Sequence, residues 1–289
     1  MAVLDGPDIH LNYVVIGEGV PVTLLHGFTL SAHSWQEVIS KMPDGWRWVV
    51  PDLRGHGATR IPSGAPCTMD ACTGDLEMLW DHLGIERTHL VGYSMGGRLA
   101  LHVAAHRPGR VLSLLTIGAH AGLEEEAREG RRQGDEALAR RIETDGLESF
   151  IDYWSKLPLL AGVERRGPSF VAQLRAERMS NHVAGLAKSL RGMGAGRMEP
   201  VWNRLAELKF PCTFVAGQLD HGYVASARRL ASTVAGGRVE IVLRAGHAVH
   251  LERPEAFARV LEAHLARRAP EDDLSESPLD ESPSSFTKD

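Results

Sequence analysis

A short run around Ser94 constrains the fold of this chain more than any other feature. Residues 91–98 read Val-Gly-Tyr-Ser-Met-Gly-Gly-Arg, so a strand-like apolar run ends in a G-x-S-x-G pattern and a helix-like run follows. A serine there needs a very tight strand-to-helix turn, and glycines two positions on either side remove side chains that would clash. The turn lifts the hydroxyl above the sheet and aims the positive end of the helix at it. We therefore predict a catalytic Ser94 rather than an incidental serine in a Gly-rich turn.

Strand-length apolar runs alternate with helix-like stretches along most of the chain. Several of these runs are continuously apolar, as strands covered on both faces should be. The predicted strands are 11–16, 22–25, 47–51, 88–92, 111–117, 212–217 and 238–243. The predicted helices are 34–41, 69–83, 95–106, 223–235 and 254–267. This alternation predicts an α/β fold with a mostly parallel, doubly wound sheet.

Residues 122–205 interrupt that alternation, because they read as successive helices without strands between them. We predict an inserted helical lid there, with the sheet core formed by residues 1–121 and 206–268. The remaining residues, 269–289, carry seven acidic side chains and one lysine among repeated Ser and Pro. Such a composition cannot bury a core, so this acidic tail is predicted to be disordered.

Composition excludes several classes of partner and cofactor. The formal net charge is −5, and no basic stripe with interleaved aromatic residues favours nucleic acid. No apolar run reaches membrane-spanning length, and residues 1–20 lack a secretory pattern. The three cysteines have no metal-type spacing, and no dinucleotide or phosphate-binding glycine motif is present. We expect a cytoplasmic protein without metal, cofactor, membrane or nucleic-acid partner; the sequence leaves its oligomeric state open.

The partners of a serine in this kind of turn follow it in the order acid, then histidine. Asp220 comes just after the predicted strand 212–217, and His247 follows the strand 238–243. A carboxylate that holds one imidazole nitrogen fixes the tautomer, so that the other nitrogen can take a proton from serine. His250 is the weaker candidate for the base, and Asp75 and Asp81 are expected to be solvated helix residues.

The loop after the strand 22–25 reads His26-Gly27-Phe28 and is a candidate for stabilising negative charge. The glycine lets the backbone turn, so that the Phe28 N–H and the Met95 N–H can point at a developing oxyanion. His26 is expected to hold this loop. The tight loop over residues 51–57 is expected to be architectural.

These motifs together resemble the α/β-hydrolase superfamily. The resemblance covers residues 10–268 and lies in His-Gly-Phe (26–28), Asp-Leu-Arg-Gly-His-Gly (52–57), Gly-Tyr-Ser-Met-Gly-Gly (92–97), Gly-Gln-Leu-Asp (217–220) and Ala-Gly-His (245–247). It implies the α/β-hydrolase fold and the catalytic trio Ser94, Asp220 and His247. It does not by itself name a substrate.

Arg98 is unusual, because it lies in the first turn of the helix after Ser94, where the helix dipole disfavours a cation. A cation beside the active site indicates an anionic small-molecule substrate, although an arginine that reaches solvent is the alternative. Further arginines follow between residues 128 and 178, and some of them are candidates to bind substrate carboxylates through paired hydrogen bonds.

A narrower resemblance lies in the stretch from residue 92 to residue 202 and in Gly-Gln-Leu-Asp (217–220). Its residues are Gly-Tyr-Ser-Met-Gly-Gly-Arg-Leu-Ala-Leu (92–101), Arg131, Asp135, Leu138, Ala139, Ile142, Trp154, Leu157-Pro158, Arg178-Met-Ser-Asn, Leu190-Arg-Gly-Met-Gly and Trp202. They are similar to the 2-succinyl-6-hydroxy-2,4-cyclohexadiene-1-carboxylate synthases of menaquinone biosynthesis. That family releases pyruvate from 2-succinyl-5-enolpyruvyl-6-hydroxy-3-cyclohexene-1-carboxylate, and its catalytic trio abstracts a proton.

The same resemblance implies the substrate-binding residues. The substrate carries three carboxylates, which Arg98, Arg131 and Arg178 would bind, while Tyr93 and Trp154 would line the pocket. Arg128 or Arg132 is the alternative to Arg131, and Arg175 is the alternative to Arg178.

Two competing functions use the same fold. A serine esterase or a carbon–carbon-bond hydrolase needs the same trio, so the motifs do not separate it from a lyase. A non-catalytic binding protein on this fold is the second alternative, and the presence of all three catalytic candidates argues against it.

Overall fold

The computed structural model describes residues 1–267, and the predicted acidic tail at 269–289 lies outside the described residues. The described chain forms one eight-stranded sheet with the strand order β1-β2-β4-β3-β5-β6-β7-β8. The strands are β1 (Ala2–Gly6), β2 (Ile9–Ile16), β3 (Val20–Leu25), β4 (Trp46–Pro51), β5 (Thr88–Tyr93), β6 (Val111–Ile117), β7 (Cys212–Gly217) and β8 (Arg238–Val242).

Strands β3 to β8 pair in parallel, whereas β1 pairs antiparallel with β2 and β2 pairs antiparallel with β4. The predicted mostly parallel sheet is therefore confirmed. Every residue of β5 and of β7 is buried, which explains why both strands are mostly apolar on both faces. Strand β1 was not predicted, because this edge strand is largely exposed and its apolar run is only three residues long.

Helices cover both faces of the sheet. They are α1 (Gln36–Ile39), α2 (Met69–His82), α3 (Met95–His106), α4 (Glu125–Ser155), α5 (Pro168–Met179), α6 (Val183–Met193), α7 (Trp202–Leu205), α8 (His221–Thr233), α9 (Val249–Glu252) and α10 (Pro254–Leu265). Leu79 of α2 and Leu99 of α3 are fully buried against one face, and Trp35 and Phe257 are fully buried against the other. The doubly wound arrangement follows from these two apolar layers.

Between β6 and β7 the described chain contains helices and no strand. Helix α4 is interrupted at Gly146, whose φ of 79° is far from helical values. A separate apolar cluster joins α4 to α6 through Ile142, Phe150, Leu186 and other fully or almost fully buried side chains. We call residues 122–205 the helical segment; its role as a lid remains a prediction.

One expectation about solvated acids is wrong. Asp75 is only 6 % exposed, because the buried Arg54 guanidinium donates to its Oδ1 from Nη2 at 2.7 Å. The same guanidinium also binds Asp8, so this network joins the loop after β4 to α2 and to the β1–β2 turn. Asp81 is exposed as expected and pairs with Arg110.

Within residues 1–267, no helix combines the length and the apolar character that crossing a bilayer requires.

Candidate active site

The turn after β5 holds Ser94 in a strained backbone conformation. Its φ of 51° and ψ of −107° are unfavourable for a residue with a side chain, and such strain typically costs about 1–3 kcal/mol. Close packing leaves no room for a side chain at Gly92 or Gly96: a Cβ on Gly92 would come within 2.7 Å of the Gly97 nitrogen, and one on Gly96 within 2.6 Å of the Leu25 carbonyl carbon. The G-x-S-x-G spacing is thus a steric requirement of this turn.

The three residues predicted to form the catalytic trio lie together at the carboxyl ends of the strands. His247 Nε2 lies 3.0 Å from Ser94 Oγ, and His247 Nδ1 lies 2.7 Å from Asp220 Oδ2. Asp220 follows β7 and His247 follows β8, so residues far apart in sequence meet at one sheet edge. In the tautomer with the proton on Nδ1, Nε2 is free to accept a proton from the serine hydroxyl.

The loop that carries His247 is held by a residue that the sequence analysis did not identify. Glu252 accepts hydrogen bonds from the N–H groups of Gly246 (2.7 Å) and Ala248 (3.2 Å), the two neighbours of His247. On the other side, Gly118 has a φ of 56°, and a Cβ there would come within 2.7 Å of His247 Cε1. Both residues fix the imidazole, and neither has a motif that marks it in a single sequence.

His250, the weaker candidate for the base, does not face Ser94. Both of its ring nitrogens are buried without a hydrogen-bond partner among the described residues, and its ring packs against Trp35 and Tyr93 at centroid distances of 4.5 Å. Burial lowers the pKa of His250 to about 3, so it is neutral at physiological pH.

Both proposed oxyanion donors border the space above Ser94. Among residues 1–267, neither the Phe28 N–H nor the Met95 N–H donates to a backbone acceptor. Met95 is the first residue of α3, where the N–H groups have no acceptor within the helix. His26 holds the Phe28 loop as expected, because its Nδ1 donates to the Gly27 carbonyl at 2.8 Å and its Nε2 accepts from the Leu53 N–H at 2.9 Å.

A cavity of about 240 Å³ opens between Ser94 and the helical segment. Nine of the ten predicted site residues line it, while Asp220 lies behind His247. These nine are Phe28, Tyr93, Ser94, Met95, Arg98, Arg131, Trp154, Arg178 and His247. Apolar side chains of the helical segment, among them Leu138, Leu160 and Leu190, complete much of the wall. The cavity is therefore apolar over much of its surface and carries three cations.

Two of the three guanidinium groups have no carboxylate partner among the described residues. Arg98 donates from Nη1 to the Met193 carbonyl at 2.7 Å, and Arg178 donates from Nη1 to Ser155 Oγ at 2.6 Å. Burial lowers the pKa of Arg98 only to about 10, so Arg98 remains charged near neutral pH. Burial also lowers the pKa of Arg178. Arg131 is half-exposed and donates from Nε to Asp135 Oδ1 at 2.9 Å.

The alternative arginines do not line this cavity and are paired elsewhere. Arg128 binds Glu125 and Glu199, Arg132 binds Glu129, and Arg175 binds Glu148 and Asp152. Arg98 is only partly exposed and lines the cavity. The structure thus brings Arg98, Arg131 and Arg178 to Ser94 and leaves their sequence neighbours outside.

Aromatic rings surround the imidazole and the mouth of the cavity. The Tyr93 ring packs 5.3 Å from that of His247, and the Trp154 ring packs 5.2 Å from that of Phe28. Tyr223, which the sequence analysis missed, packs 4.5 Å from His247 and lines the cavity. It is the third residue of α8, three positions after Asp220, and no known motif marks it.

No group of three or more His, Cys, Asp or Glu side chains in residues 1–267 is arranged to hold a metal ion.

Known proteins resemble this chain both in sequence and in structure. A putative 2-succinyl-6-hydroxy-2,4-cyclohexadiene-1-carboxylate synthase from Bacillus subtilis (strain 168) is 36% identical over 262 residues, which cover 88% of this chain and 95% of the relative. Among solved structures, MenH from S. aureus superposes with a TM-score of 0.83 at 29% identity, covering 88% of this chain and 97% of that one.

A malate-bound thermophilic esterase from Thermogutta terrifontis is also similar, with a TM-score of 0.79 at 28% identity, over 89% of this chain and 93% of that one. The profile of the alpha/beta hydrolase fold matches residues 20–254, which is most of the chain. This match agrees with the eight-stranded sheet and with the turn at Ser94. The chain therefore belongs to the alpha/beta hydrolase fold family.

Proposed function

We propose that this protein is a 2-succinyl-6-hydroxy-2,4-cyclohexadiene-1-carboxylate synthase, a carbon–oxygen lyase that releases pyruvate from 2-succinyl-5-enolpyruvyl-6-hydroxy-3-cyclohexene-1-carboxylate. The observation that carries the proposal is the presence of Arg98 and Arg178 in the cavity without a carboxylate partner in residues 1–267. Charge that is buried without a counterion is unfavourable, and an anionic ligand relieves that cost. The name of the Bacillus subtilis relative, a putative synthase of the same product, supports this reaction.

Three carboxylates on the substrate match three guanidinium groups in number. The forked guanidinium binds a carboxylate through two parallel hydrogen bonds and remains charged when it is buried. Arg98 reaches the cavity from α3, next to the turn that holds Ser94, whereas Arg131 and Arg178 reach it from α4 and α5. Cations on separate elements would orient the substrate ring and would also increase the affinity for the substrate.

In the proposed reaction, Ser94 acts as a base rather than as a nucleophile. His247 accepts the hydroxyl proton, and Ser94 Oγ takes a proton from the substrate carbon beside the succinyl ketone. The electron pair of that C–H bond forms a ring double bond, the existing double bond shifts, and the C–O bond to enolpyruvate breaks. Enolpyruvate takes up a proton and becomes pyruvate, so atoms and electrons balance without an oxidant. Asp220 would orient the imidazole and stabilise its protonated form.

The negative charge that develops on the ketone oxygen needs donors in fixed positions. The N–H groups of Phe28 and Met95 would supply them, and one such donor is typically worth about 2.7–4 kcal/mol. General-base catalysis adds about 10²–10⁴-fold. The apolar wall of the cavity strengthens both effects because it excludes water.

A serine esterase or a carbon–carbon-bond hydrolase is the second candidate, because the distances among Ser94, His247 and Asp220 suit acyl transfer equally well. The similarity to the Thermogutta terrifontis esterase favours this candidate. A non-catalytic binding protein would not need these three side chains in hydrogen-bond contact.

The deciding experiment offers the purified protein the enolpyruvyl substrate and, separately, p-nitrophenyl acetate. We expect pyruvate release from the first compound, its loss in Ser94→Ala, and slow turnover of the ester. Fast ester hydrolysis without pyruvate release would replace the lyase with the hydrolase. Turnover of neither compound, with tight binding of the first, would favour the binding protein.

A further inference from the structure

We infer that Asn181 is a positioning residue that holds the Phe28 N–H in place for catalysis. Asn181 lies just after α5 and is only 3 % exposed, although it is an uncharged polar residue outside the reaction cavity. Its side-chain amide contacts two loops, the one that carries Phe28 and the one after β4. The inference rests on the proposed use of the Phe28 N–H as an oxyanion donor.

The first contact of Asn181 is with the residue that follows Phe28. Asn181 Nδ2 donates to the Thr29 carbonyl at 2.8 Å, across 152 positions of sequence. Thr29 is fully buried and has a φ of 69°, a left-handed conformation that is unfavourable for a β-branched residue. A strained backbone of this kind persists only where its surroundings fix it. The Asn181 amide is one of the groups that fix it.

The second contact ties the same side chain to the loop after β4. Asn181 Oδ1 accepts from the Gly57 N–H at 2.9 Å, while Nδ2 also donates to the Arg178 carbonyl at 2.9 Å. One N–H faces Oδ1 and two carbonyls face Nδ2, so the orientation of the amide is unambiguous. An amide satisfies this set of partners, and neither a carboxylate nor a hydroxyl does.

Glu177, near the end of α5, also binds the loop that carries Phe28. Glu177 Oε1 accepts from both the N–H and the hydroxyl of Ser31, at 2.9 and 2.7 Å. The end of α5 therefore holds the loop that carries Phe28 at Thr29 and at Ser31. Because Arg178 lies on this turn, the carboxylate-binding cation and the oxyanion donor share one support.

This arrangement predicts that Asn181 affects the chemical step more than substrate binding. Asn181→Asp keeps an acceptor for the Gly57 N–H but places an oxygen against the Thr29 carbonyl. Removing an oxyanion donor outright typically costs about 10²–10³ in kcat, so displacing one should cost about 10–100-fold. The Michaelis constant should change less than about threefold, because Asn181 bonds only the backbone carbonyl of Arg178, and the Arg178 guanidinium keeps its own bond to Ser155 Oγ.

The experiment measures kcat, KM and the thermal midpoint for wild type, Asn181→Asp and Asn181→Ala. Ser180→Ala is the matched control, since this exposed hydroxyl on the same turn donates to the Glu177 carbonyl and, among residues 1–267, has no hydrogen bond to the Phe28 loop. Assays are run well below the thermal midpoints, so that every variant is folded. Asn181→Ala removes the contacts without introducing repulsion and serves if the aspartate variant does not fold.

A second substitution separates positioning from general stability. Glycine adopts a φ near 69° without strain, so Thr29→Gly in the Asn181→Asp background should recover at least about threefold in kcat. A kcat within twofold of the Ser180→Ala control, a loss confined to KM, or an absence of recovery by Thr29→Gly would each overturn the inference.

The failure of this inference is distinguishable from failure of the proposed function. Each variant is also assayed with p-nitrophenyl acetate, whose tetrahedral intermediate would use the same donors. Wild type that releases no pyruvate but hydrolyses the ester refutes the lyase, while the effect of Asn181→Asp on ester turnover still tests the inference. Wild type that acts on neither compound overturns both.

Discussion

Replacing Arg98 by methionine tests the link between the buried cations and the substrate most directly. Methionine keeps an unbranched apolar stem of similar shape and removes only the guanidinium. Hydrogen bonds to charged groups contribute about 1.5–3 kcal/mol each, which corresponds to about 10–150-fold in kcat/KM. We expect a loss of that size for pyruvate release from the tricarboxylate substrate.

The effect on stability should be small, for reasons visible in the structure. The substitution leaves the Met193 carbonyl without its 2.7 Å donor, which is unfavourable. It also removes a buried charge that has no carboxylate partner in the described part of the chain, which is favourable. These two effects oppose each other, so the thermal midpoint should move by only a few degrees.

The assay compares pyruvate release with hydrolysis of p-nitrophenyl acetate for each variant. A neutral ester has no carboxylate for Arg98 to bind, so its turnover should stay within about threefold of wild type. Arg140→Met is the matched control, because this exposed arginine lies on the same helix as Arg131, pairs with Glu136 and does not line the cavity. Equal losses with both substrates, or unchanged pyruvate release, would refute the assignment of Arg98 to a substrate carboxylate.

Three further predictions concern the catalytic trio and the buried histidines. Ser94→Gly should abolish activity yet raise the free energy of unfolding by about 1 kcal/mol, because glycine relieves the backbone strain at a φ of 51°. Chemical denaturation measures this free energy, and an unchanged or lower value would contradict the argument. Asp220→Asn should lower kcat by about 10⁴-fold with little change in KM, because the amide favours the wrong tautomer of His247; a loss below tenfold in steady-state assays would remove Asp220 from the site. Burial lowers the pKa of His89 to about 4 and that of His264 to about 3, so the unfolded chain binds more protons than the folded chain below pH 6.5. The free energy of unfolding should therefore fall as the pH drops from 6.5 towards 4, by up to about 1.4 kcal/mol per pH unit for each histidine. A thermal midpoint that is flat over this range would contradict the burial argument.

The parts of the fold that could be predicted from sequence are those with a local signal. Strand β5, the glycine-flanked turn and α3 were predictable because each imposes its own pattern on adjacent residues. Strand β1 was not, since its apolar run is short and its position depends on pairing with β2. Asp75 was misjudged for a related reason: Arg54, which buries it, lies 21 positions away and on another element.

The same distinction applies to the candidate site. Residues 94, 220 and 247 follow predicted strands, so the topology of a parallel sheet already brings them to one edge. Glu252, Gly118 and Tyr223 act through contacts with His247 that no spacing rule encodes. The choice of Arg131 and Arg178 over their neighbours came from resemblance, because helical periodicity alone does not say which arginine of a charged helix faces inward.

The catalytic residues and most of the predicted substrate-binding residues lie on different parts of the chain. Ser94 and its partners sit on strand ends of the sheet, whereas Arg131, Trp154 and Arg178 belong to one contiguous stretch inserted between β6 and β7. A library that randomises cavity-lining positions only between residues 122 and 205 would therefore sample new ligands without altering the proton-transfer groups. Tyr93, Arg98 and Tyr223 also line the cavity but lie outside the inserted stretch. Because Arg98 would stay in place, a preference for acidic ligands should outlast many replacements of that stretch.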